Sequence, residues 1–164
     1  MNGTRKLGLA PVARADARLL LLGSLPGEAS LKAERYYAHP QNQFWRLLGE
    51  VIGEPLAALD HDARLETLLD RRIALWDVVH AARREGSLDQ RMAKIEVRDL
   101  AGFVAGLPGL RAIGFNGATA AKLGRKKLGA THLALVNLPS SSPAHTTAFG
   151  DKLSRWRALA PFLD

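Results

Sequence analysis

The chain has 164 residues, of which 47% are hydrophobic, and a formal net charge of +7 from 23 Lys and Arg against 16 Asp and Glu. This length suits a single domain with one core of ordinary size. The chain contains no cysteine, which excludes disulfide frameworks, thiolate-bound zinc, iron–sulfur clusters and cysteine nucleophiles. No apolar run approaches the roughly 20 residues that span a bilayer, and no signal-peptide pattern is present, so we expect a cytoplasmic protein away from membranes.

Short apolar segments alternate with segments of helical spacing along the chain. Continuous apolar runs over residues 17–23, 73–79, 111–115 and 132–138 predict strands that are buried on both faces. Helical spacing predicts helices over residues 43–52, 62–69, 97–106, 118–127 and 152–163, with Asp62 as an N-cap and Gly53 and Gly106 as stops. This order predicts an α/β domain, three-layer α/β/α, with a central four-stranded, mostly parallel sheet. We expect residues 1–16 to form a partly mobile leader and residues 17–164 to form the domain.

Ligands bind such folds at the carboxyl ends of the strands, so the segments that follow the strands are the candidates for chemistry. The first contains two glycines, a proline and two serines, a composition that suits either an anion cradle or a plain turn. It lacks the Lys-Ser/Thr ending of a nucleotide P-loop and is not the GxGxxG fingerprint. Its candidate residues are Gly23, Ser24, Pro26, Gly27 and Ser30.

The second candidate segment, residues 36–45, reads Tyr-Tyr-Ala-His-Pro-Gln-Asn-Gln-Phe-Trp. Such a stretch can stack a planar ring and form hydrogen bonds with its edge. We expect Phe44 and Trp45 to begin a helix and to enter the core. Tyr37 and Asn42 have no obvious structural duty and are therefore candidate ligand-binding residues, whereas His39 fits either a helix cap or a binding role.

Two further segments follow the later strands. Asn116 lies at the end of the third strand, where it fits either an N-cap or a ligand reader. A hydroxyl-rich loop follows the fourth strand, and three consecutive serines suit either phosphodiester contacts or a plain loop. Residues 111–164 contain 8 basic and 2 acidic side chains, against 15 and 14 in residues 1–110, which fits either a solvated surface or a polyanion partner. The candidate residues here are Ser140, Ser141, Ser142, Pro143, Ala144, His145, Lys152 and Arg155.

Taken together, four motifs resemble the uracil-DNA glycosylase superfamily, and most closely its hypoxanthine-DNA (deoxyinosine) glycosylase branch. They are Gly-Ser-Leu-Pro-Gly, Tyr-Tyr-Ala-His-Pro-Gln-Asn-Gln-Phe-Trp, Phe-Asn-Gly and Leu-Pro-Ser-Ser-Ser-Pro-Ala, in that order. One departure bears on the substrate. The mismatch-specific uracil glycosylases carry Gly-Ile-Asn-Pro-Gly in the first loop, where the Asn positions water, and Leu25 stands in its place here. The branch resembled lacks that Asn and places its important Asn at the position of Asn42.

The resemblance implies a monofunctional DNA repair enzyme that flips a deaminated base out of the helix, hydrolyses its N-glycosidic bond and leaves an abasic site. Hypoxanthine is the expected base, with xanthine and uracil as further candidates. Tyr37 would stack on the flipped base, Asn116 would read its lactam edge and Asn42 would position the attacking water. Asp77 and His39 are possible proton partners, although a strand-end Asp and a helix-start His are more often structural.

The resemblance further implies that the loop of residues 140–145 contacts phosphates and inserts Pro143 or Ala144 into the duplex, with Lys152 and Arg155 binding the DNA backbone. The expected partner is damaged DNA, double- or single-stranded, bound by a monomer in the cytoplasm or nucleoid, with no metal or cofactor. Three alternatives remain open: a uracil-specific mismatch DNA glycosylase, a non-catalytic DNA-binding α/β module, and an enzyme acting on free nucleosides or phosphate esters.

Overall fold

The computed structural model describes residues 4–7, 9–25, 27–84 and 92–163 of the chain. The strands in these residues are β1 Thr4–Leu7, β2 Leu19–Gly23, β3 Ile73–Asp77, β4 Val79–Arg84, β5 Met92–Val97, β6 Ala112–Asn116 and β7 Ala134–Leu138. The α-helices are α1 Glu28–Ala33, α2 Phe44–Ile52, α3 His61–Asp70, α4 Leu100–Ala105, α5 Ala118–Leu128 and α6 Phe149–Trp156, and 3-10 turns cover Leu56–Ala58 and Arg157–Phe162.

The central sheet has the strand order β3-β2-β6-β7, and every pair in it is parallel. It is built from the four predicted strands, so the predicted parallel sheet is confirmed. Register places Gly23 beside Asp77, and Asn116 beside Leu138. The carboxyl ends of the four strands therefore meet at one edge of the sheet, where ligands bind in open parallel sheets.

Both faces of this sheet are covered, which explains the continuous apolar runs. Leu19 and Leu21 of β2 belong to a core cluster that includes residues of α2, α3 and α6. Leu20 and Leu22 belong to a second cluster on the other face, with residues of α4 and α5. Since successive side chains of a strand point to opposite faces, a strand between two helical layers must be apolar throughout. The predicted three-layer α/β/α architecture is confirmed.

The helix predictions locate five of the α-helices, with corrections at their ends. Helix α3 begins two residues earlier than a cap at Asp62 requires, because Asp60 is the N-cap and accepts a hydrogen bond from the Ala63 amide at 2.8 Å. Helix α6 begins at Phe149 and runs on into a 3-10 turn. The predicted stops at Gly53 and Gly106 are both confirmed as C-caps. Helix α1 was not predicted, since its six residues are too short to show apolar periodicity.

A second sheet, antiparallel with the order β1-β4-β5, was not predicted. Its strands carry several charged residues and no long apolar run, so their sequences lack the signal of a buried strand. Strand β1 comes from the segment expected to be a leader, and Val12 pairs with Leu75 through backbone hydrogen bonds of 3.0 and 2.9 Å. The domain boundary at residue 17 stays a prediction. Within the described ranges, none of the helices has the length and apolar character to cross a membrane.

Candidate active site

A cavity of about 380 Å³ opens at the carboxyl edge of the central sheet, where β2, β3 and β6 end. Its volume falls in the range of small-ligand sites. Twelve of the predicted site residues line it: Gly23, Ser24, Gly27, Ser30, Tyr37, His39, Asn42, Asn116, Ser140, Ser141, Ser142 and Pro143. The lining also includes Leu25, Ala29, Tyr36 and Asp77. Pro26, predicted to bind substrate, lies outside the described residues.

Four predicted DNA-binding residues lie away from this cavity. His145 and Arg155 border a second, wider depression of about 740 Å³ on the other side of the loop after β7, which Ser140 also borders. Ala144 is exposed, next to Pro143. Lys152 is only 1% exposed, so its side chain is not displayed on the protein surface.

Tyr37 has an unusual backbone conformation, and its ring packs against Phe44 and Trp45 at the start of α2. Its φ of 52° lies in the left-handed region, which is uncommon for a residue with a side chain. Its ring stacks on Phe44, with centroids 3.9 Å apart and planes 10° from parallel. Phe44 and Trp45 are buried in the core, as predicted. Because Phe44 covers one face of the Tyr37 ring, only the opposite face and the edges remain for a ligand.

The Tyr37 hydroxyl is buried and has no hydrogen-bond partner among the described residues. Burial raises the pKa of this phenol above its ordinary value, and the nearby Asp77 adds to the rise while the Asn116 amide opposes it. The hydroxyl therefore stays protonated and is available as a donor. An unpartnered buried donor is costly in an empty site, and it is satisfied when a ligand supplies an acceptor.

A chain of hydrogen bonds joins Asn42, Ser141 and Asn116 across the cavity wall. The Ser141 amide donates to Asn116 Oδ1 at 2.9 Å, and Asn116 Nδ2 donates to Ser141 Oγ at 2.9 Å. The Ser141 hydroxyl in turn donates to Asn42 Oδ1 at 2.8 Å. Asn116 does not cap α5, because the N-cap is Gly117, with a φ of 100°. Its side chain instead fixes Ser141 and also lies close enough to the Tyr37 hydroxyl to oppose the rise in the pKa of that phenol. One N–H and one oxygen lone pair of Asn116 are not used in the bonds to Ser141.

The same chain sets the orientation of the Asn42 amide. Its Oδ1 also accepts from the Phe44 backbone amide at 2.9 Å, and a backbone N–H can only donate, so the carbonyl oxygen must face it. The two bonds occupy both lone pairs of Oδ1. Asn42 therefore presents its Nδ2 hydrogens, which have no partner among the described residues, and acts in the cavity as a hydrogen-bond donor.

The first loop divides into residues with structural contacts and residues without them. Ser30 is buried, and its hydroxyl accepts from the Ala38 amide at 3.0 Å, which ties α1 to the aromatic segment. A Cβ on Gly23 would lie 2.9 Å from the Tyr37 hydroxyl and 3.0 Å from Asp77 Oδ1. A Cβ on Gly27 would meet nothing within 4 Å. Close approach thus explains the glycine at position 23 and does not explain the one at position 27.

The loop after β7 is anchored from three sides. The Gln43 amide donates to the Ser141 carbonyl at 3.0 Å, and Trp156 Nε1 donates to the Pro139 carbonyl at 2.9 Å. Lys152 Nζ donates a hydrogen bond of 3.4 Å to the Ser142 carbonyl oxygen, which is a third contact that stabilises the loop. Burial lowers the pKa of the Lys152 ammonium. These contacts leave Pro143, Ala144 and His145 at the exposed tip.

Two ionisable side chains complete the site. His39 Nδ1 accepts from the Gln41 amide at 3.1 Å, so a neutral ring carries its proton on Nε2 and is exposed there as a donor. Asp77 is buried at the end of β3, with one oxygen unpartnered. A carboxylate that ends an otherwise apolar strand was the available sequence signal for this residue. The described residues hold no group of three or more His, Cys, Asp or Glu side chains placed to bind a metal.

Comparison with known proteins agrees with this fold. Residues 10–161 match the family model of the uracil DNA glycosylase superfamily. A hypoxanthine DNA glycosylase of Methanosarcina acetivorans is 39% identical over 154 residues, which cover 94% of this chain and 97% of the relative. A hypoxanthine DNA glycosylase of Methanosarcina barkeri is 42% identical over 113 residues, covering 69% of this chain and 72% of the relative.

A solved structure gives the same result in three dimensions. The solution NMR structure of a candidate uracil DNA glycosylase from Methanosarcina acetivorans superposes with a TM-score of 0.86 at 37% identity, covering 98% of this chain and 99% of that one. The parallel α/β fold is that of a DNA glycosylase domain. The chain belongs to the uracil DNA glycosylase superfamily.

Proposed function

We propose that this protein is a hypoxanthine-DNA glycosylase, which hydrolyses the N-glycosidic bond of deoxyinosine in DNA and leaves an abasic site. The observation that carries the proposal is the cavity, in which a stacked tyrosine and two fixed amides converge at the carboxyl edge of the sheet. The names of the two Methanosarcina relatives support hypoxanthine as the base. Leu25, which cannot orient water, makes a general uracil activity secondary.

The first step is extrusion of the damaged nucleotide into the cavity, which costs a few kcal/mol of unstacking and unpairing. Deoxyinosine opposite thymine pairs poorly, and this lowers the cost. The flipped ring would stack on the face of Tyr37 that Phe44 leaves open. The Asn116 amide keeps one donor and one acceptor, which match the lactam edge of hypoxanthine, whereas adenine presents the opposite pattern.

Asn42 would hold the attacking water through its Nδ2 hydrogens. The bonds to Oδ1 leave the amide only as a donor, so it would take one lone pair of the water and leave the other to attack C1′. An amide cannot remove a proton from water. Because the sugar develops an oxocarbenium-like charge as the bond breaks, a positioned water suffices without prior deprotonation.

The contacts with the DNA backbone would come from the exposed part of the loop after β7 and from helix α6, which follows it. The Ser140 and Ser142 hydroxyls and the exposed Arg155 are suited to phosphate oxygens. His145 and Arg155 both border the wider depression. Pro143 or Ala144 would fill the space that the flipped nucleotide leaves. We propose that the enzyme works as a monomer in the cytoplasm, on nucleoid DNA, without a metal or cofactor.

The test is excision from labelled oligonucleotides that carry inosine, xanthine, uracil or no lesion, followed by alkali to break the strand at abasic sites. We expect alkali-sensitive breaks at inosine in EDTA-containing buffer. Asn42→Ala should lower the single-turnover rate by roughly 100-fold or more while duplex binding is kept. Gln41→Ala, a change at the exposed neighbouring residue, is the matched control and should excise at the wild-type rate.

Three results would contradict the proposal. Salt-sensitive binding with no abasic product would indicate a DNA-binding module. Activity on free nucleosides without DNA would indicate a small-molecule enzyme. Excision of uracil in preference to inosine would indicate a uracil-specific mismatch glycosylase.

A further inference from the structure

Asp77 occupies a position in the cavity that neither the fold nor the roles proposed above explain. It ends β3 directly beside Gly23 in the parallel register and lines the cavity, with only 3% of its surface exposed. Its Oδ2 is buried and has no hydrogen-bond partner among the described residues. Buried charges in proteins are paired or become neutral, since an isolated ionised carboxylate is very costly to bury.

The position of Asp77 relative to Tyr37 indicates that both face the same ligand. The Tyr37 hydroxyl and Asp77 Oδ1 lie 2.9 and 3.0 Å from the point that a Cβ on Gly23 would occupy. Each of the two side chains carries a buried polar atom without a partner. Because both side chains lie near Gly23 in the lining of one cavity, a polar, planar ligand that enters it can satisfy both groups together.

The surroundings of Asp77 place the pKa of its carboxyl group close to neutral pH. Burial raises the pKa of Asp77 to about 7, against the opposing effects of the Arg98 guanidinium and a hydrogen bond from the Leu9 backbone. Arg98 is held by other contacts, because its Nη2 donates to the Leu9 carbonyl at 2.9 Å and its guanidinium stacks on Trp76. The Tyr36 hydroxyl donates to the Ala10 carbonyl at 2.7 Å. Tyr36 and Tyr37 are the other titratable groups that interact with Asp77, and burial keeps both phenols protonated by raising their pKa values.

We infer that Asp77 is a further catalytic residue, the general acid that donates a proton from its carboxyl group to the departing base. This inference rests on the proposed glycosylase function. A purine leaves with negative charge developing on its rings, and it carries acceptors at N7 and O6 that a buried acid can reach only after the nucleotide is flipped. A proton placed there at the moment of bond cleavage turns a poor leaving group into a neutral one.

The step balances without a co-reactant beyond water. The C1′–N9 bond breaks and its electron pair goes to the purine, while the proton on Asp77 moves to an acceptor atom of the purine. Water adds to C1′ and loses a proton to solvent. The Asp77 carboxylate then regains a proton from solvent, so that one water is consumed for each base released.

The experiment measures single-turnover excision of inosine opposite thymine from pH 5.5 to 9 in the full-length wild type and in Asp77→Asn. Asparagine keeps the shape and can donate a hydrogen bond, but it cannot release a proton. Asp62→Asn, which makes the same change at an exposed residue of α3, is the matched control. Affinity for an inosine duplex and thermal unfolding are measured for every variant.

We expect the wild-type rate to fall by about tenfold per pH unit above neutrality. Asp77→Asn should be roughly 100-fold slower at pH 6, with a flat profile and unchanged duplex affinity, whereas Asp62→Asn should follow the wild type. A wild-type rate that does not change between pH 6 and 8.5 would overturn the inference whether or not the variant folds. An Asp77→Asn variant with the wild-type rate and profile would overturn it and leave the glycosylase function standing. Absence of inosine excision by the wild type would remove both.

Discussion

The Ser141 hydroxyl donates a hydrogen bond of 2.8 Å to Oδ1 of Asn42, across 99 positions of sequence. This bond joins the loop after the last strand of the sheet to the segment that precedes α2. It also turns the Asn42 amide, because Oδ1 faces the protein and Nδ2 faces the cavity. The orientation of the proposed water-positioning group thus depends on a residue of the loop expected to contact DNA.

The first prediction concerns this bond. Ser141→Ala removes the donor to Asn42 Oδ1 and the acceptor for Asn116 Nδ2, so both amides gain freedom to rotate. We expect single-turnover excision of inosine to slow by roughly 10- to 100-fold, since misplacement of a reacting group costs that much, while duplex affinity changes little. Thr146→Ala removes a hydroxyl from an exposed residue nearby and is the control. Excision by Ser141→Ala at the wild-type rate would show that the Phe44 amide alone holds Asn42.

The second prediction concerns the two glycines of the first loop. Gly23→Ala places a methyl group 2.9 Å from the Tyr37 hydroxyl and 3.0 Å from Asp77 Oδ1, and both side chains are confined by burial. Overpacking of this kind costs about 1–3 kcal/mol, so we expect a lower unfolding free energy in urea and slower excision. Gly27→Ala meets nothing within 4 Å and should retain wild-type stability. Equal stability of the two variants would contradict the close approach at Gly23.

The third prediction concerns the pH dependence of stability. Burial raises the pKa of Asp77 to about 7 from an ordinary value of 3.8. Between these values the folded protein keeps a proton that the unfolded chain releases, so stability contributed by this group is greatest below pH 4 and is lost as the pH rises to 7. Asp77→Asn carries no such loss. We expect it to be more stable than the wild type at pH 8, on the order of 1–4 kcal/mol.

Urea unfolding at pH 4.5, 6 and 8 measures this effect, and Asp62→Asn again serves as the control. The stability difference between Asp77→Asn and the wild type should grow with pH. A difference that stays constant, or that shrinks as the pH rises, would show that Asp77 is ionised in the folded protein across this range.

The fourth prediction separates two cations of α6. Arg155 is exposed beside the depression that His145 and Ser140 border, so Arg155→Gln should weaken binding to every duplex and reduce the salt slope by about 1. Lys152 is buried against the loop. Lys152→Met should leave the salt slope unchanged and lower the melting temperature or the excision rate through the loop. Equal salt slopes in the two variants would contradict this assignment.

The sequence predicted the architecture of the central sheet because its signal is local. The four consecutive leucines of β2 can be buried only between two apolar layers, and helical spacing between the strands supplies those layers. The antiparallel sheet has no comparable signal. Strand β4 reads Val-His-Ala-Ala-Arg-Arg, and its pairing depends on its partners β1 and β5, of which β1 is distant in sequence, rather than on its own composition.

The candidate site was predictable in its membership and not in its contacts. The site residues were predicted from strand ends, loop composition and the family resemblance, and twelve of them line one cavity. Asn116 fits an N-cap when it is seen in sequence, and only the fold shows that its amide bonds Ser141 instead. Lys152 resembles any surface lysine of a basic helix, and its burial arises from the packing of α6 under the loop.

Strand β2 pairs with β3 on one side and β6 on the other, and its leucines enter the cores on both faces of the sheet. Opening this strand would expose both cores at once, so its amides should exchange with solvent only when the whole domain unfolds. Gly23 therefore ends a strand that is buried on both faces, whereas Pro143 and Ala144 lie on an exposed loop. The floor of the cavity should therefore keep its shape when a substrate binds, and any adjustment should occur in the exposed loop at its rim.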